Sequence, residues 1–223
     1  MMRTSARTLG VAIAAAVCLL LAACGGAPTD GAATGGPTSP GTGAGSPSEG
    51  GGTSESPVPT ESPVPADTNP QGDIPDNAQF VPYHSKAGGF TVSTPEGWAR
   101  TTTANSVTFT DKLNTVIVSW TPASSGPTVA SVKANDLPEL ANSERAYRFG
   151  SIAVAKLPAG TSVMVEYEAN SEPNAVTGKQ YRLDVQRYVL YRHGVEVAIS
   201  LRSPLGSDNV DPWRIVTESF VWS

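Results

Sequence analysis

The chain has 223 residues, 39% apolar and 16% charged, with a formal net charge of −5 at neutral pH, but these averages cover three unlike segments. Residues 1–23 carry two arginines and no acid, residues 24–78 seven acids and no lysine or arginine, and residues 79–223 thirteen side chains of each sign. That balance excludes a nucleic-acid footprint, which needs a basic excess against phosphate.

The first segment opens with Arg3 and Arg7, continues as an apolar run from Leu9 to Leu21, and ends in small residues. This is the layout of a secretory signal peptide, too short for the roughly 20 apolar residues of a transmembrane helix. Leu21, Ala22 and Ala23 lead into Cys24, and Gly25 and Gly26 follow. The stretch resembles the lipobox of bacterial lipoproteins. The resemblance implies cleavage before Cys24, a diacylglyceryl thioether on its sulfur with palmitate-like chains, and a protein held by the lipid bilayer at the extracytoplasmic face of the cell membrane. Each buried methylene contributes about 0.8 kcal/mol, so two acyl chains hold firmly where one holds marginally. The other cysteine, Cys18, lies in the leader, so the processed chain has no disulfide. Cys24 is an anchor and not a nucleophile, since a glycine-rich surrounding offers nothing to lower a thiol pKa.

From Cys24 to Ala78 the chain is Gly, Ser, Thr, Pro and Ala with scattered acids and no aromatic residue. It cannot bury enough to offset the entropy of ordering and is expected to be a disordered tether. Near its end a motif occurs twice, Glu55-Ser56-Pro57-Val58-Pro59 and Glu61-Ser62-Pro63-Val64-Pro65. Its prolines favour polyproline II, which suits either a semi-rigid spacer or a docking motif for a proline-binding groove; the spacer is the simpler reading.

A globular domain is expected over residues 79–223. Phe80–Tyr83 and Phe90–Thr94 form a first hairpin around Ala87-Gly88-Gly89, and Pro95-Glu96-Gly97-Trp98 stops it, with the tryptophan folding back as an apolar plug. Val107–Phe109 and Thr115–Thr121 are strands, the second covered on both faces. From Thr128 to Asn142 the period becomes helical through Val129, Val132, Leu137 and Leu140, with Pro138 restarting the helix from a cap near Asn135 or Asp136. Strands follow over Tyr147–Leu157, Thr161–Ala169, Gln180–Arg192 and Val195–Arg202, the last two joined by a tight His193-Gly194 turn. On the last strand Val195, Val197, Ile199 and Leu201 share the core face. A final helix starting near Asp211, with Pro212 first, buries Trp213, Val216 and Phe220. Hairpins with inserted helices make an α+β fold, an antiparallel sheet packed against helices.

Tyr83, Gly88-Gly89-Phe90, Pro95-Glu96-Gly97-Trp98, the run of hairpins, Asp208-Asn209 and the closing Trp213 and Phe220 together resemble the PsbP-like lipoproteins of actinobacteria, themselves similar to PsbP and Mog1. The resemblance covers about residues 79–223. It implies a central antiparallel sheet of about six or more strands with helices on both faces, an α/β/α sandwich, and a non-enzymatic accessory protein that serves a larger assembly. No calcium or manganese ligand set can be matched to it residue by residue.

No catalytic constellation is legible, and no cofactor or metal is expected. His84 and His193 lack a partner at ligand spacing, and no serine sits in a Gly-x-Ser-x-Gly elbow. Glu166 and Glu168 share a strand face and suit a cation or acid–base work, though a solvated strand face explains them more simply. Arg187 is the candidate ligand-binding residue: it falls among Tyr181, Leu183, Val185, Val189 and Tyr191, where a guanidinium needs a partner. It either holds an anionic group of a ligand or, as the simpler account, pairs with an acid from an adjacent strand; Asp184 points to the opposite face. The leading function is a lipid-anchored accessory protein presenting its domain to an envelope protein partner. The alternative is a small-ligand-binding lipoprotein associated with a transporter. A pocket of several hundred cubic ångströms with convergent polar groups speaks for the ligand, a broad exposed apolar patch for the partner.

Overall fold

The structure is a computed structural model that describes residues 61–69 and 71–223. These belong to one compact unit, Thr53–Ser223. Leu21, Ala22, Ala23 and Cys24 lie outside the described residues, as does most of the expected tether.

Among the described residues there are ten strands and three helices. Strands β1 (Phe80–Ser85) and β2 (Phe90–Pro95) form the first hairpin. Strands β3 (Ala99–Thr102), β4 (Ser106–Asp111) and β5 (Asn114–Pro122) follow, then helices α1 (Val129–Ala134) and α2 (Asp136–Ser143). Four long strands come next, β6 (Arg148–Leu157), β7 (Gly160–Asn170), β8 (Arg182–Arg192) and β9 (Val195–Pro204), and then α3 (Val210–Ser219) and the short β10 (Val221–Trp222). The main sheet has seven strands in the order β3-β4-β5-β9-β8-β7-β6, each paired antiparallel to its neighbours.

The first hairpin does not join that sheet. It forms a second, three-stranded sheet, β1-β2-β10, whose third strand is the last element of the chain. Both β10 and the wholly exposed β3 escape a pattern reading, because two residues, or an alanine followed by three polar ones, carry no periodicity. This small sheet and α3 cover one face of the main sheet, burying Phe90, Val92, Val116, Val118, Ile199, Leu201, Val216 and Phe220 together. Phe90 stacks on Phe220 at 5.3 Å and meets Trp120 edge-on at 5.7 Å. Trp98, expected as a plug, packs against this core and meets Trp213 edge-on at 6.4 Å.

Helices α1 and α2 cover the other face, where Val132 and Leu140 meet Val163, Val165, Tyr167, Leu183 and Val185. Strand β9 is therefore buried on both sides, Ala198 and Ser200 included. Thr128 caps α1 in a reciprocal arrangement with Ser131, and the break at Asn135 lets Pro138 sit in the first turn of α2, where a missing N–H removes no helical bond. His193 and Gly194, with φ of 49° and 85°, make the tight β8–β9 turn. The final helix begins at Val210 with Asn209 as its N-cap, so Pro212 is its third residue and not its first, and Phe220 is the buried residue that closes it.

Residues ahead of the expected domain start at residue 79 also pack on the domain. Ile74 is 4% exposed and packs in the core, and its N–H donates to Asn209 Oδ1 at 2.8 Å. The Gly72 carbonyl accepts from Asn114 and Asn209, each at 2.8 Å. Composition hid this because one isoleucine in a proline- and glycine-rich stretch gives no periodic signal, whereas a single apolar side chain and two backbone groups satisfied by three hydrogen bonds suffice to hold the chain down.

Candidate functional site

Strand β8 places Arg187 on the face covered by α1 and α2, opposite Ser200 of β9. Its Nη1 donates to Ser200 Oγ at 3.2 Å, and its Nη2 lies 3.8 Å from Asp136 Oδ1 at the start of α2. The ionic partner thus comes from the helix and not from an adjacent strand, while the adjacent strand supplies a hydroxyl. Arg187 Nε is buried without a hydrogen-bond partner. Asp184 does face the other way, beside Glu168 and Ser203.

Around Arg187 opens a cleft of about 570 Å³ between the sheet and the helix pair, lined by Ser119, Ser131, Asp136, Glu139 and Glu196 among others. Three carboxylates against one guanidinium leave it negative. Burial pushes the Asp136 carboxyl above the usual range, and Arg187 only partly opposes this. Glu196 is raised too, by burial first and then by Asp136. A second anion entering here would meet these charges at close range, so the cleft suits a ligand that donates to the carboxylates and accepts from Arg187, an amino alcohol or a polyol.

The remaining candidates are dispersed. Glu166 accepts from Ser151 Oγ at 2.6 Å, and Glu168 holds Arg182 Nε at 3.1 Å with Arg148 at 3.7 Å, so both serve sheet contacts. His84 Nδ1 is 3.0 Å from Thr91 Oγ1 across the first hairpin, and His193 sits in a turn. Among the described residues no three or more His, Cys, Asp or Glu side chains come together as a metal site, and no helix is long and apolar enough to cross a membrane.

Two features escaped sequence reasoning. The first is the β6 edge of the main sheet. Among the described residues β6 pairs only with β7; it is 10 residues long and has no buried position. Phe149 and Val154, 45% and 60% exposed, share its α1–α2 side, and residues 149–155 carry no charge. The second is a groove built by Arg145, Asn170 and Gln180 that holds Glu61 to Val64, the start of the second repeat copy. Arg145 pairs with the Glu61 carboxylate, which also accepts from Gln180 Nε2 at 3.1 Å and Asn170 Nδ2 at 3.3 Å. Asn170, 2% exposed, donates to the Ser62 carbonyl at 3.0 Å and accepts the Val64 N–H at 3.1 Å. Arg182 Nη1 donates to Asn170 Oδ1 at 3.0 Å and orients that amide. The signal was present in the repeated motif, but nothing in a linear pattern names the receptor for it.

No family model matches the chain, and no curated protein does. Solved structures similar to it include the Ran-binding protein Mog1p of Saccharomyces cerevisiae, at 11% identity and a TM-score of 0.43, covering 65% of this chain and 95% of that one. Cyanobacterial PsbP (CyanoP) of Synechocystis sp. PCC 6803 has 14% identity and a TM-score of 0.44, covering 68% and 98%. LpqN of Mycobacterium tuberculosis, described as involved in cell envelope biogenesis, has 14% identity and a TM-score of 0.41, covering 66% and 91%. Of a similar Bacteroides thetaiotaomicron protein the chain spans 48%. At these identities and scores the likenesses carry nothing about activity, substrate or partner.

Proposed function

We propose that the chain is a lipoprotein anchored through Cys24 at the extracytoplasmic face of the cell membrane, a non-enzymatic accessory protein whose domain engages an envelope protein through strand addition at β6. The observation that supports this is the β6 edge itself. Natural sheets blunt a long edge with charge, proline or a cover, because its free N–H and C=O groups template another strand. Between Arg148 and Lys156 this edge carries neither charge nor proline; a bulge interrupts it at Gly150, and beyond the bulge it offers Val154, with Phe149 before it, to an extended apolar partner segment. Crosslinking intact membranes tests it: a partner recovered with the natural chain is lost with Val154→Lys, which leaves the folded domain unchanged. Recovery of a small molecule alone overturns this reading. Labelling with a clickable palmitate analogue tests the anchor, since Cys24→Ser loses the label and releases the protein to the medium; a labelled Cys24→Ser chain refutes it.

A second reading rests on the Arg187 cleft: a small-ligand-binding lipoprotein serving a transporter, its ligand carrying amino or hydroxyl donors. Thermal-shift measurements with amino alcohols and polyols decide it, because stabilisation of the natural chain must vanish in Glu196→Gln.

A further inference from the structure

The groove at Arg145, Asn170 and Gln180 reads a short motif. Its contacts with the second copy go to the Glu61 carboxylate, the Ser62 carbonyl and the Val64 N–H. The Asn170 amide spans Pro63, whose ring nitrogen has no hydrogen to donate, and takes the acceptor before it and the donor after it in one fork. A carboxylate two residues ahead of the proline fixes the register through Arg145 and Gln180. A glutamate, the carbonyl of the next residue and a free N–H two residues beyond that carbonyl are what these hydrogen bonds use.

Glu55-Ser56-Pro57-Val58 offers all of these groups in the same order six residues earlier, outside the described residues. We propose that the groove is a recognition site for the Glu-Ser-Pro-Val-Pro motif and accepts either copy, so that the domain can seat at two positions along its own leading segment. Seating the first copy leaves six more residues to span between the groove and the buried Ile74, which lowers the closure probability by about twofold. It also gives up the 3.2 Å contact between Lys179 and Asp67. The second copy is therefore preferred and the first remains competitive. The exchange changes the length of chain on either side of the groove by six residues, so the spacing of the domain from whatever holds residues before the repeat takes two values.

The test uses the full chain alone, without any partner, so its outcome is separate from that of the β6 reading. In asparagine-labelled protein the Asn170 side-chain amide resonance reports occupancy. It keeps its bound position in Glu55→Ala and in Glu61→Ala, and moves to an open-groove position only in the double variant. Adding a synthetic Glu-Ser-Pro-Val-Pro peptide at millimolar concentration, comparable to the effective concentration of a tethered copy, restores the bound position, and a peptide with alanine for glutamate does not. If Glu61→Ala alone empties the groove, or if the peptide leaves the double variant unchanged, the proposal fails and the contact is a fixed part of the fold.

Discussion

Arg202 on β9 grips Glu144, the residue that closes α2, through two parallel hydrogen bonds of 3.0 and 2.8 Å. Tyr167 on β7 donates to the same carboxylate at 2.8 Å. Three separate elements therefore converge on one helix end, and the side chains of the ion pair are only 19% and 13% exposed. Removing one partner strands a half-buried charge, so Arg202→Ala lowers unfolding stability by about 2–3 kcal/mol. Tyr167→Phe, which removes one hydrogen bond to a charged group, lowers it by about 1–2 kcal/mol. Urea unfolding followed by tryptophan fluorescence checks both. A loss below 0.5 kcal/mol for Arg202→Ala shows that the helix pair is held by Val132 and Leu140 alone.

Ile74 contributes to the core although it precedes the first strand. Truncation to alanine removes its buried methyl groups and leaves a cavity, a cost of about 2–4 kcal/mol. Chemical denaturation of Ile74→Ala measures it directly, and an unchanged midpoint means that the segment before residue 79 does not pack.

Asp184 lies on β8 directly beside Glu168 and near Glu166, and burial first, then these two carboxylates, push its pKa up. A carboxyl raised in the fold binds its proton more tightly there than in the unfolded chain. Its contribution to stability is therefore fully present below the unfolded value of about 4 and is lost as pH rises through the higher folded value. Asp184→Asn removes that loss, raising the melting temperature at pH 7 by about 2–4 °C, with the gain vanishing near pH 4. Melting curves across pH 4–8 show whether the two profiles converge on the acid side as this requires.

Among the described residues Arg187 is the one base lining a cleft that also holds Asp136, Glu139 and Glu196. Arg187→Met leaves those acids unopposed and lowers stability at pH 7 by about 1 kcal/mol, a modest figure because the cleft is open to water. Asp136 and Glu196 are already raised. The deficit accordingly shrinks as pH falls through their folded values and vanishes below the unfolded values of about 4, where both acids become protonated in either state. A deficit that stays constant over this range assigns the effect to packing of the aliphatic stem.

Glu61 moves the opposite way. The hydrogen bond from Gln180 is the largest influence, and Arg145 and Asn170 add to it, so its pKa is held below the usual carboxylate value against an opposing desolvation. Occupancy of the groove is complete above about pH 4.3, the ordinary glutamate value, and declines as pH drops through the lower value in the fold. The Asn170 amide resonance titrated from pH 6 to 3 shows this; a transition centred above pH 5 contradicts it.

Local chemistry determined a large share of this protein in advance. Alternation along Val195–Leu201, the left-handed pair His193-Gly194, the helical spacing of Val129, Val132, Leu137 and Leu140, and the stop at Pro95-Glu96-Gly97-Trp98 are short-range properties, and each element appears where those residues put it. The side of β8 on which Arg187 stands follows from a strand period of two, and that too was legible. What pairs with what was not. That the first hairpin leaves the main sheet to meet the last two-residue strand, that Arg187 answers to a helix, and that Glu61 finds Asn170 across more than a hundred residues depend on contacts between distant segments, which periodicity within one segment does not encode. Tertiary structure alone decided them, because a carboxylate or an amide seeks the nearest complementary group in space and is indifferent to its place in the chain.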